Sequence, residues 1–351
     1  MTPRSRPARV VAIVVGVALL ISGVIVVVQG LKTTPCDNVH FRSSAGPVNP
    51  SSQPPPIGRL GIVRDLRQFF HGGSAAVFCD DLPDPFVLRV GDNYYAFATG
   101  TAGKNIPVLT THGLFGTGGR REALPSLPSW ADFGWAWAPS VLQVGSTFVL
   151  YYSTHVHSNG RECLSTAVSS KPGGPYVDNS RGPGPCPPGW AFDPSPFVDA
   201  SGAAYLVWRN EHAIVSQRLS ADGRSLVGTP TTLVTPDQAW EAGIVEGPAM
   251  TMAGGRYYLF YSGNQWQTAS YAIGYAVCTG PSGPCVKAAG PWLASGVGVE
   301  GPGGPEFFTD PSGQLWMSLH AWVGGQVGYP QGARDLFVLK LSFPNGVPVA
   351  S

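Results

Sequence analysis

Apolar and aromatic residues in this chain recur in short runs that end at glycine turns, with little of the three-to-four-residue rhythm of a helix. The first run is Phe86-Val87-Leu88-Arg89-Val90, followed by Gly91-Asp92 and then Asn93-Tyr94-Tyr95-Ala96-Phe97. It predicts two strands joined by a tight turn. The pattern returns four times, each copy opened by a proline: at Trp137-Ala138-Pro139-Ser140-Val141, Phe192-Asp193-Pro194-Ser195-Pro196-Phe197, Glu246-Gly247-Pro248-Ala249-Met250 and Gly304-Pro305-Glu306-Phe307-Phe308. Counting Pro85, the prolines are separated by 54, 55, 54 and 57 residues. A steady period of this size is expected when each copy is one four-stranded blade, so the chain predicts an all-β, five-bladed propeller. Residues 147–153 are apolar and β-branched enough for a buried strand, and residues 336–341 predict a closing strand. The pairs Tyr94-Tyr95, Tyr151-Tyr152 and Tyr257-Tyr258 read as sheet packing.

One segment departs from this pattern. Residues 10–28 are almost continuously apolar and follow Arg4, Arg6 and Arg9. That length spans a bilayer and the arginines favour the cytoplasmic side, so the segment reads as an uncleaved transmembrane signal anchor in preference to a cleaved signal peptide. The expected organisation is a cytoplasmic basic tail at 1–9, the anchor at 10–28, a Pro/Ser-rich stalk at 29–57 and the propeller at 58–351. The propeller would then be extracellular on a single-pass membrane protein. Cys36, Cys79, Cys163, Cys186, Cys278 and Cys285 form an even set, which suits disulfides in an exported chain. Sequence proximity suggests the pairs 36 with 79, 163 with 186 and 278 with 285.

Composition narrows the choice of partner. Only 12% of residues are charged and the formal net charge is +1, which gives no electrostatic footprint for nucleic acid. A monomer that recognises its ligand by shape and hydrogen bonds is expected. Gly 46 and Pro 34 suit an all-β chain that turns every few residues.

The repeat register also brings out candidate chemistry. Equivalent positions in a propeller lie at equivalent places around its axis, so acids at the start of different inner strands converge. Asp84 and Asp193 stand directly before their prolines, and Glu246 stands one position earlier in its copy. Three acids from three copies suit either a hard cation or acid/base catalysis. Their spread over separate copies favours catalysis, because a cation site would recruit closely spaced Asp, Asn and Gly in one loop; carboxylates brought together at the axis raise one pKa and set a proton donor beside an acceptor. Glycosidic bond cleavage needs that pairing. Each Asp-Pro taken alone could be no more than a turn.

Asp84-Pro85, Trp137-Ala138-Pro139-Ser140-Val141, residues 192–199 through Gly202, and Val245-Glu246-Gly247-Pro248, in this order and at this period, resemble glycoside hydrolase family 43. The resemblance covers nearly all of the chain beyond Gly58. It implies a five-bladed propeller that inverts the anomeric carbon of arabinose- or other pentose- or furanose-containing oligo- and polysaccharides, as arabinofuranosidases, arabinanases and xylosidases do. By position it makes Asp84 the general base, Glu246 the general acid and Asp193 the modulator of the donor's pKa. It also makes Trp137 a wall of the sugar pocket and Arg334 a contact to substrate hydroxyls. Val-Glu-Gly-Pro occurs again at residues 299–302, so Glu300 competes for the acid's role, and register favours Glu246. No cofactor is called for. Relatives often carry a histidine beside a bound ion where this chain has Gly304, which puts a calcium on the propeller axis in doubt; His320 is the candidate to compensate, against a simply packed histidine. The competing expectation is a membrane-tethered propeller that binds carbohydrate without catalysis.

Overall fold

The computed structural model describes residues 40–43, 76–78, 80–116, 118–186 and 189–351. Five antiparallel units follow one another along the chain. The first holds Phe86–Val90, Asn93–Phe97, Pro107–His112 and Gly119–Glu122. The second holds Trp137–Val144, Thr147–Val156 and Arg161–Ser169. The third holds Ala191–Val198, Ala204–Asn210, Ala213–Leu219 and Leu226–Val234. Val245–Ala253, Arg256–Gly263, Ala272–Cys278 and Cys285–Lys287 make the fourth. The fifth is Val299–Thr309, Leu315–Val323 and Arg334–Ser342, completed by Ala76–Phe78 from near the other end of the chain. The opening strand of each unit packs against that of the next, and the fifth returns to the first, so the arrangement is propeller-like. Residues 336–341, read as a closing strand, lie inside the fifth unit, and Ala76–Phe78 pairs beside them.

The apolar runs are nearly continuous because each sheet is buried on both faces. Successive side chains of a strand point to opposite faces. Phe148, Leu150 and Tyr152 accordingly join the core between the first and second units, while Val149 and Tyr151 join the core between the second and third. The fourth unit repeats this: Tyr258 and Phe260 face the fifth unit, and Leu259 and Tyr261 face the third. A fifth cluster, with Val87, Tyr94, Phe308 and Trp316, joins the last unit to the first. Each interface is a small core of its own, so truncating one large ring, such as Phe260→Ala, costs about 3–5 kcal/mol. The tyrosine pairs read as packing behave so at Tyr151 and Tyr152, which are both buried.

Two disulfides lie among the described residues, Cys163–Cys186 and Cys278–Cys285, as proximity suggested. Cys36 and Cys79 lie outside the described residues. So does most of the segment read as a stalk; its described part, His40–Ser43, is a strand paired with Leu293–Val297.

The expectation of a transmembrane helix ahead of the propeller is corrected. The described residues contain no α-helix, only the 3-10 turns Ala239–Glu241 and Pro344–Gly346, and no helix among them is long and apolar enough to cross a membrane. Residues 10–28, on which the anchor was read, lie outside the described residues. The membrane partner, the signal anchor and the extracellular single-pass placement therefore lose their support. Hydropathy and the preceding arginines suggested them, and no described element bears them out.

Candidate active site

The repeat register has a backbone signature. The residues before the five prolines, Asp84, Ala138, Asp193, Gly247 and Gly304, all adopt left-handed backbone, at φ 50°, 43°, 54°, 52° and 60°. L-residues resist this region, so Asp84, Ala138 and Asp193 are strained there. Strand pairing skips at the same point, from Trp137 to Ser140, Phe192 to Ser195 and Glu246 to Ala249. The opening strands of the second to fifth units therefore bulge where they reach the site, and a bulge re-aims the side chains beside it.

At the left-handed residues the backbone N–H turns inward, and a side chain from the second strand of the preceding unit, or in the case of Thr99 two residues beyond it, usually accepts it. Ala138 donates to Thr99 Oγ1 at 2.8 Å, Asp193 to Ser153 Oγ at 3.0 Å, Gly304 to Ser262 Oγ at 3.0 Å and Asp84 to His320 Nδ1 at 3.0 Å. Pairing puts Ser153 opposite Trp137, Arg209 opposite Phe192, Ser262 opposite Glu246 and His320 opposite Gly303. Arg209 thus occupies the place of the acceptor in the third unit and has no acceptor to offer. The Gly247 N–H turns instead to Asp193 Oδ2 at 2.8 Å.

Asp84, Asp193, Glu246, Trp137 and Arg334 all line one open cavity of about 800 Å³. The acids meet different surroundings. Burial works against the charge of Asp84, but Arg334 and the Thr99 hydroxyl outweigh it and hold the carboxyl below the ordinary 3.8. Thr99 Oγ1 donates to Oδ2 at 2.5 Å, and Arg334 Nη1 donates to Oδ1 at 3.4 Å. Burial and the neighbouring Glu246 and Asp84 push Asp193 up to about 7, against the Gly247 N–H and Arg209. Glu246 is raised as well: burial leads, opposed by Arg209 and the Tyr271 hydroxyl and reinforced by Asp84. Arg209 Nη1 donates to its Oε2 at 2.6 Å and Tyr271 Oη to its Oε1 at 2.9 Å. Near neutral pH the site thus sets the ionised carboxylate of Asp84 beside a pair of acids, Asp193 and Glu246, whose carboxyls are both raised and of which Asp193 is still partly protonated.

Arg334 is itself caged. Its guanidinium lies 4.7 Å from the ring centre of Trp266, 5.7 Å from Tyr329 and 5.9 Å from Trp322. Asp81 fixes the cage by accepting the Tyr329 hydroxyl at 2.6 Å and the Arg334 backbone N–H at 3.0 Å. Its carboxylate contact is Asp84, not a surface partner. Glu300 does not line the cavity, so position favours Glu246 between the two Val-Glu-Gly-Pro copies.

The absent histidine has a steric explanation. A Cβ on Gly304 would lie 3.0 Å from Nδ1 of His320 and 3.3 Å from Cα of Asp84. His320 is fully buried and lowered to about 3, first by burial and then by Arg334. It is neutral, with Nδ1 accepting from Asp84, and its Nε2 has no hydrogen-bond partner. Among the described residues no three His, Cys, Asp or Glu side chains gather to hold a metal. A single imidazole nitrogen at this point does not supply the oxygen ligands that calcium takes. The residues present do not fit a calcium held by protein side chains.

The family model described as "Glycosyl hydrolases family 43" matches residues 75–348. The chain belongs to this family. Family-43 membership makes it a glycosidase, and relatives bear this out. It is 26% identical over 326 residues to a probable arabinan endo-1,5-alpha-L-arabinosidase A of Aspergillus flavus, covering 82% of this chain and 98% of that protein. It is 31% identical over 201 residues to a xylan 1,3-beta-xylosidase of a Vibrio species, covering 50% of this chain and 35% of that one. The solved structure of a thermostable family-43 glycoside hydrolase superposes with a TM-score of 0.67 at 26% identity, over 78% of this chain and 93% of that chain.

Sequence reasoning missed Arg209, Tyr271, Thr99 and the paired role of His320. Arg209 and His320 could have been found by setting the second strands of the units in register, as was done for the first. Tyr271 lies in a connection with no repeat signal. Glu306 also lines the cavity: it accepts from Ser195 Oγ at 3.0 Å, and burial raises its carboxyl well above 4.5.

Proposed function

We propose that this family-43 glycosidase hydrolyses arabinose- or other pentose- or furanose-containing glycans with inversion, Asp84 acting as base, Glu246 as acid and Asp193 as modulator. The observation that carries this reading is the split among three acids lining one cavity. Asp84, kept ionised by Arg334 and Thr99, suits proton abstraction from water. Glu246 and Asp193, both raised, suit retention of the proton needed by the leaving oxygen. Arg209 and Tyr271 occupy one lone pair on each oxygen of Glu246 and orient the carboxyl without preventing its protonation. Trp137, lining the cavity, offers an apolar face to a sugar ring. The Aspergillus relative's arabinan and the Vibrio relative's xylan support a pentose substrate without choosing between them.

The test is hydrolysis by the full chain of arabinan, xylan and galactofuranosyl substrates, with the released anomer followed by NMR. Asp84→Ala and Glu246→Ala should each lower kcat by about 10³-fold or more. The loss in Glu246→Ala should shrink on aryl glycosides whose leaving group needs no protonation. Retained configuration, or activity that survives both substitutions, would overturn the assignment.

A further inference from the structure

An aromatic surface leads out of the cavity across the second and third units. Trp137 and Phe192, which line the cavity, stack at 6.3 Å and 26°. Phe192 continues to Trp190 at 6.3 Å, and Trp137 continues to Trp135 at 5.0 Å. Trp135 stacks in turn on His155 at 4.8 Å and 30°. Single exposed rings are ordinary, but this set is contiguous, and its outer members stay open: Trp135 is 40% exposed and Trp190 46%.

The rings are held in place by neighbours outside the apolar cores. None of the four belongs to any of the five core clusters. Asp132 is hydrogen-bonded to Nδ1 of His155 at 2.6 Å and of His157 at 2.8 Å, which fixes the imidazole under Trp135. Arg209 lies 5.4 Å over Phe192 while its Nη1 reaches Glu246. The surface is thus anchored at one end by the Asp132–His155 hydrogen bond and at the other by Arg209, a side chain of the site itself.

We infer that Trp135, Trp137, Phe192 and Trp190 form a shelf that binds further sugar units of a polysaccharide chain whose reacting unit sits in the cavity. The inference rests on the glycosidase reading above and deepens it by specifying a chain substrate. Continuity with the cavity selects the occupant, because any chain leaving it across these units passes over the rings. Aromatic faces match the C–H faces of sugar rings, and the rings are spaced on the order of one sugar unit apart.

The experiment uses Asp84→Ala protein and arabinan oligosaccharides from disaccharide to hexasaccharide, with affinity read by tryptophan fluorescence and calorimetry. Xylan oligosaccharides serve as a second series. Affinity should rise about tenfold between the disaccharide and the pentasaccharide, and Trp135→Ala or Trp190→Ala should remove that rise. Trp190→Phe, which keeps an aromatic face, should restore most of it and shows that the loss is not misfolding. In the active protein, Trp190→Ala should lower the ratio of kcat/KM on pentasaccharide to that on an aryl monoglycoside about tenfold. Met252→Ala, another exposed apolar side chain that does not line the cavity, should leave the ratio unchanged. Affinity independent of length in both series overturns the shelf even if aryl glycosides are cleaved. Length-dependent binding without hydrolysis of any substrate keeps the shelf and removes the catalytic reading instead.

Discussion

Oδ2 of Asp193 accepts the backbone N–H of Gly247 at 2.8 Å, which ties the third acid to the residue that directly follows Glu246. The link exists because Arg209 stands where other units carry an acceptor for this N–H. One substitution in the repeat therefore brings a cation to Glu246 and turns Asp193 toward the strand that carries it. Asp193→Asn removes a negative charge beside Glu246, so the glutamic proton should be lost at lower pH. The expected outcome is a fall in kcat of about 10²-fold, with the alkaline limb of the pH profile displaced to lower pH. An unmoved limb would mean that Asp193 serves only to position Glu246.

The wild-type pH profile follows from the same surroundings. Asp84 is held below 3.8, so the base should remain competent well into the acid range and the acidic limb should lie below that pH. The proton held by Asp193 and Glu246 is lost as the pair titrates, with Asp193 at about 7. A bell with its upper limb near pH 7 is expected in kcat/KM, measured on an uncharged glycoside so that only the enzyme titrates. The two apparent values belong to the coupled group and not to single residues.

The raised Asp193 also makes stability depend on pH in a defined direction. The unfolded carboxyl ionises near 3.8 and the folded one at about 7. Between these values the folded state binds the extra proton, so stability falls as pH rises through the window and then levels off. Asp193→Asn should remove this slope. The difference in Tm between variant and wild type should be larger at pH 8 than at pH 5, in favour of the variant, as followed by calorimetry.

Much of this site was legible because the opening strands carry it. The proline period placed Asp84, Asp193 and Glu246 at corresponding points, and the left-handed residues before the prolines are the structural form of that correspondence. The second strands and the residues just beyond them carry equal information, but their key residues differ in chemistry: Thr99, Ser153, Arg209, Ser262 and His320 show no common letter to a reader of the sequence. Their equivalence is a matter of pairing register. The caging of Arg334 by Trp266 and Tyr329 depends on connections without a repeat, whose course no periodicity specifies. The apolar segment at residues 10–28 shows the converse case, a strong hydropathy signal that no described element supports.

Gly304 and His320 compete for the same space, and that competition can be measured. A side chain at position 304 meets His320 Nδ1 at 3.0 Å and requires an L-residue at φ +60°. Gly304→Ala should therefore cost about 3 kcal/mol, combining backbone strain with the contact. His320→Ser removes the ring and offers the kind of acceptor that Ser153 and Ser262 provide at matching positions, so the Asp84 N–H can keep a partner. On its own it should destabilise by about 2 kcal/mol through the vacated volume. The double variant should be more stable than the sum of the two losses by about 1 kcal/mol, because the added methyl group enters space the imidazole has left. Urea unfolding of the four proteins measures this coupling. Strict additivity would show that the left-handed backbone and the nearby Asp84 Cα, not the imidazole, exclude a side chain at 304.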